Sequence, residues 1–163
     1  MINPEGYIGS AESLQEKACG SGWSLKVVPE KYGELGLTEA CKRHDYRYRI
    51  GSLPREKVLA DLYFLSDLLE ALIVDIDVFK IHTLIDCSVM ELNATFTQKK
   101  TNEIWNKFWK QLRNEVSKSS IGWFRKWFRF GYAKDYYEAV EHLGNNAFYE
   151  GKTYMTKNPG FWE

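Results

Sequence analysis

From Thr38 to Leu143 the apolar residues recur mostly at intervals of three and four, the spacing that places side chains on one face of an α-helix. A first helix is predicted from Thr38, an acceptable N-cap, through Ile50, ended by Gly51 and Ser52. A second starts at Pro54, a residue suited to the first turn, and carries the stripe Val58, Leu62, Leu65, Leu69 and Leu72. The pattern runs on through Ile81, so a long scaffold helix is expected. Residues 101–117 put Ile104, Trp105, Phe108, Trp109, Leu112 and Val116 on one face, and Asp135 to Leu143 reads as a last helix stopped by Gly144 and Asn145. Residues 20–37 mix Gly, Pro and isolated apolar residues and read as an ordered loop, with a short strand pair left open. The expected class is all-α.

Length and charge narrow the picture. At 163 residues one domain is expected, able to bury a core without many disulfides. Its three cysteines can be read for position. The 22 basic and 22 acidic residues cancel, which argues against a general nucleic-acid binder. The cancellation is global only: Glu56 to Glu91 holds eight acids and two bases, Lys99 to Lys134 ten bases and two acids. No apolar run is long enough for a membrane span, and the opening MINPEGYIGSAESLQEK lacks the layout of a secretory signal, so signal-directed export is not expected.

The stretch with most chemistry is Cys41-Lys-Arg-His44-Asp45-Tyr-Arg-Tyr48. On a helix Cys41, His44, Asp45 and Tyr48 share one face. The second helix holds a carboxylate out of place: Asp61 stands one turn beyond Val58 and one turn before Leu65, inside the stripe, whereas Asp67 and Glu70 are easier to leave at its edge or in water. A buried unpaired carboxylate is costly, so Asp61 needs a partner, and His44 is the natural one. Such a bond fixes the imidazole tautomer and leaves the second ring nitrogen as a general base. Upstream, Ala18-Cys19-Gly20-Ser21-Gly22 has alternating glycines that let the backbone curl and its carbonyls converge, which suits a hard cation such as Ca²⁺.

These residues resemble the phospholipase A2 superfamily. Ala18 to Gly22 matches its metal loop, Cys41 to Tyr48 its active-site helix, and Asp61 the aspartate of its second long helix. The segments Trp23 to Pro29 and Tyr136 to Phe148 look most like its compact bacterial and phage members. Two departures stand out: Arg47 and Ala40 occupy positions where secreted animal enzymes carry cysteines. The resemblance implies two long antiparallel helices carrying a His/Asp dyad, an N-terminal calcium loop and extra C-terminal helices, with a catalytic core at about 15–75 and a helical extension at about 76–163. It implies a Cys19–Cys41 disulfide, leaving Cys87 as a buried core thiol.

By the same resemblance, His44 takes a proton from a water that attacks the sn-2 ester of a glycerophospholipid. Asp61 orients His44, and Tyr48 donates to Asp61. Ca²⁺, held by the Asp45 carboxylate and the carbonyls of Ala18, Gly20 and Gly22, polarises the ester. The expected partner is a phospholipid membrane surface, bound peripherally. Trp123-Phe-Arg-Lys-Trp-Phe-Arg-Phe130 has the aromatic and basic composition of a headgroup interface; the competing reading, the commoner one for any single Trp, is that its rings are core with the charges reaching outward. The rival from another class is a catalytically idle membrane-binding or virion structural protein that keeps the fold.

Overall fold

The computed structural model describes residues 31–149. Two short antiparallel strands, β1 (Lys31–Tyr32) and β2 (Leu35–Gly36), pair Lys31 with Gly36 and Tyr32 with Leu35. Gly33, at φ 58°, makes the turn between them in the left-handed region that glycine adopts without strain. Five helices follow: α1 (Thr38–Ile50), α2 (Pro54–Leu72), α3 (Val78–Asn93), α4 (Gln98–Ser117) and α5 (Trp123–Tyr149). The all-α expectation holds for the described residues, with the hairpin as its only sheet.

α2 is the central element. It packs on α1, α3 and α5, while α4 lies against α3 and α5. Leu62, Leu65, Leu68, Leu69 and Leu72 are fully buried, as is Phe64. Each such leucine contributes roughly 1.5–3 kcal/mol. That apolar burial lets the same helix carry charged groups inside the bundle. Its entry is fixed by Glu56, whose carboxylate accepts from the backbone N–H of Ser52 at 2.6 Å and of Leu53 at 2.7 Å, capping the first turn.

The element boundaries differ most from the sequence expectations in three places, α4 starting only three residues early, at Gln98. Thr38 is not the cap of α1 but its first residue, and no side chain caps that helix. The wholly buried Leu37 anchors the entry instead. The long scaffold helix does not run through Ile81: it ends at Leu72, and Ile81 belongs to the separate α3, which keeps the apolar periodicity on the other side of a turn. Three contacts hold that turn. Arg129 donates to the terminal Leu72 carbonyl at 2.8 Å, Ser119 donates to the Val74 carbonyl at 2.5 Å, and Asp77 accepts from the Lys80 N–H to start α3. Asp75, at φ 61°, takes the reversal itself.

The last helix is the third correction. It spans 27 residues rather than 135–143, and Gly144 lies inside it. A Cβ at Gly144 would drive into the Tyr48 hydroxyl, so the glycine permits close approach of α1 to α5 and does not stop the helix. Among the described residues no helix is long and apolar enough to cross a membrane.

Candidate functional site

α1 and α2 place His44 and Asp61 in direct contact. His44 Nε2 lies 2.8 Å from Asp61 Oδ1, and both side chains are buried. A carboxylate at that distance keeps the ring proton on Nε2. Nδ1 makes no hydrogen bond to any described residue and is left as an acceptor. The ring is held on two sides by aromatic neighbours, Tyr48 at 4.1 Å and Phe64 at 4.7 Å between centroids.

Tyr48, one turn along α1, donates to the same Oδ1 at 2.6 Å. Burial, reinforced by the Asp61 charge, pushes its phenol far above the ordinary value, so it stays protonated and donates. The other oxygen, Oδ2, accepts from Lys57 Nζ at 2.7 Å. Burial alone would raise the Asp61 carboxyl, but the His44 hydrogen bond and the Lys57 charge outweigh it and hold the group below its usual range. Three donors on one buried carboxylate answer the question its place in the stripe posed.

The motif and the apolar stripe do not point to Lys57. It is only 6% exposed and also donates to the Glu141 carbonyl of α5 at 3.2 Å. Its spacing of four residues from Asp61 was the available signal. α5 closes the site from the same side: Gly144 faces Tyr48, and Phe148 packs edge-on against the Tyr48 ring at 5.2 Å.

Asp45 is half-buried beside His44 and has no hydrogen bond or ion pair to a described residue. Burial pushes its carboxyl up to about 6, against the opposing pull of His44 and Arg49. A carboxylate in this condition gains from a cation ligand, and that is the fit to calcium the described residues offer. No cluster of three or more His, Cys, Asp or Glu side chains that could hold a metal occurs among them. The remaining expected ligands, Ala18, Gly20 and Gly22, lie outside the described residues, as does Cys19. Cys41 is disulfide-bonded.

Several expectations are corrected. Cys87 is a free thiol but an exposed one, on the outer face of α3 and not in the core. Asp67 is not at the stripe's edge in water: it is buried and accepts from Arg47 at 2.6 Å and Arg43 at 3.3 Å. Glu70 is exposed, as expected. The 123–130 segment divides by residue. Trp123, Phe124, Arg125 and Phe128 are exposed, whereas Lys126 is buried and donates to the Ser117 carbonyl at 2.9 Å, and Arg129 caps α2. Two of its three cations therefore fasten helix ends and do not form an open basic surface.

No protein-family model, curated protein or solved structure matches this chain.

Proposed function

We propose that this protein is a phospholipase A2-like hydrolase, calcium-dependent and specific for the sn-2 ester of glycerophospholipids at a membrane interface. The observation that carries this reading is the buried imidazole bound through Nε2 to Asp61, with neither its Nδ1 nor the carboxylate of its chain neighbour Asp45 bonded to any other described residue. A histidine so held is oriented and has one nitrogen for a proton.

In this mechanism water gives its proton to His44 Nδ1 while its oxygen attacks the ester carbonyl carbon. Asp61 stabilises the imidazolium that forms, and Tyr48 donates to the same carboxylate oxygen. The bond from the carbonyl carbon to the glycerol oxygen then breaks, and His44 returns the proton to that oxygen. Fatty acid and lysophospholipid leave without a covalent enzyme intermediate. Calcium, held by Asp45 with the carbonyls of Ala18, Gly20 and Gly22, would supply polarisation of the ester and neutralise the oxyanion and phosphate.

The test is release of sn-2 fatty acid from phospholipid vesicles, with calcium or with chelator, by the wild type and His44→Gln. The reading requires calcium-dependent release that the variant loses. Absence of release from the wild type, or release that persists in His44→Gln, would overturn it and favour the idle membrane-binding or virion protein.

A further inference from the structure

Lys57 has no place in the proton transfer, yet it is among the most buried cations of the described chain. An ammonium at 6% exposure must be matched by acceptors, because burying it unpaired costs several kcal/mol. It has two, and they come from different helices: Asp61 Oδ2 on its own α2 at 2.7 Å, and the Glu141 carbonyl of α5 at 3.2 Å. It also stands 5.8 Å from the centroid of the Tyr48 ring. The same turn of α5 presents Gly144 to the Tyr48 hydroxyl. Both groups that flank His44 on Asp61 are thus seated against one turn of the C-terminal helix.

We propose that Lys57 is a positioning residue: by holding Asp61 Oδ2 and the Glu141 carbonyl together, it fixes the carboxylate so that Oδ1 faces His44, and it ties the orientation of the imidazole to the seating of α5. The carboxylate has one torsion that would let its oxygens exchange places. Tyr48 and His44 share Oδ1 and so do not define that torsion from the other side; the ammonium does. In Lys57→Met, Oδ2 would have no donor among the observed contacts, and the carboxylate could turn and take His44 with it. The catalytic consequence rests on the hydrolase reading above; the structural one does not.

The experiment therefore has two readouts, taken on the full chain. The first is the downfield proton resonance of the His44 Nε2–H, assigned by its loss in His44→Gln among the three histidines of the chain. The second is kcat and KM for a short-chain phosphatidylcholine. Lys57→Met should lose or displace the resonance and lower kcat by up to about 100-fold with KM unchanged, the scale expected when a reacting group is slightly misplaced. Lys57→Arg, which can span the same two acceptors, should restore much of both. Lys57→Leu, which likewise has no donor, serves if the Met variant does not fold.

An unchanged resonance and kcat in a folded Lys57→Met or Lys57→Leu would overturn the proposal. So would failure of both to fold, which would make Lys57 part of the folding core alone. A resonance that responds to Lys57 in a protein that hydrolyses no lipid would sustain the positioning and sink the hydrolase reading.

Discussion

α2 buries two carboxylates six residues apart, Asp61 and Asp67, and they differ in kind. Asp67 is met by two guanidiniums, Arg43 and Arg47, both from α1 and both reaching toward solvent. Arginine keeps its charge at any ordinary pH, so this cluster can fasten α1 to α2 but cannot move a proton. Asp61 is met by an imidazole, a phenol and an ammonium, and the second nitrogen of the imidazole has no partner among the described residues. Burial of a carboxylate therefore does not mark a site. What separates the two is whether a partner can take up and give back a proton.

The contrast is sharpest in His44→Gln. Amide for imidazole keeps a donor to Asp61 but removes the base, so under the proposed hydrolase function sn-2 hydrolysis should fall by roughly 10²–10⁴-fold with the helical circular dichroism unchanged. A variant retaining wild-type turnover would erase the distinction between the two carboxylates.

Asp67→Ala should give the opposite pattern. It leaves Arg43 and Arg47 without their buried acceptor and should lower unfolding free energy by about 1–3 kcal/mol in urea titration, with turnover per folded molecule preserved. A comparable loss of turnover would show that the arginine cluster also sets the site.

Gly144→Ala tests the α5 wall. The methyl meets the Tyr48 hydroxyl, and overpacking of about 1–3 kcal/mol is offset in part by roughly 1 kcal/mol of gained helix propensity. A small net loss of stability with a clear loss of turnover is expected, because the group displaced is one that holds Asp61. Thermal melts beside vesicle assays would show it, and a more stable variant with full turnover would remove Gly144 from the site.

The smallest effect is on pH. The Asp61 carboxyl is held below its usual range in the fold, so its contribution to stability is complete above the unfolded carboxylate value near 4. It fades as pH falls through the lower folded value. Denaturant titrations from pH 3 to 7 should show stability declining on the acid side, with a shallower decline in Asp61→Asn. Equal slopes would mean that the pairing at Asp61 is energetically neutral.

Periodicity carried the helices where the chain supplied clear punctuation. Pro54 and Gly51–Ser52 bracket real ends of α1 and α2, and the apolar face of α4 falls where its spacing puts it. It failed at 73–77, which has no Gly or Pro. There the stripe passes in register from one helix to the next, and the turn is made by Arg129, Ser119 and Ser120 reaching back from far along the chain. It failed at Gly144 for the converse reason: a local stop signal was present, but the residue is used for contact with Tyr48.

The sequence by itself determined that Cys41, His44, Asp45 and Tyr48 share a face and that Asp61 interrupts an apolar stripe, because both follow from helical spacing and the cost of burying a charge. Only the tertiary structure decided that Lys57 and the Glu141 carbonyl complete the Asp61 cluster and that Asp67 is buried under two arginines. Those facts depend on which helices α2 touches and at what height, and burial arises from packing between segments that spacing along one segment does not encode.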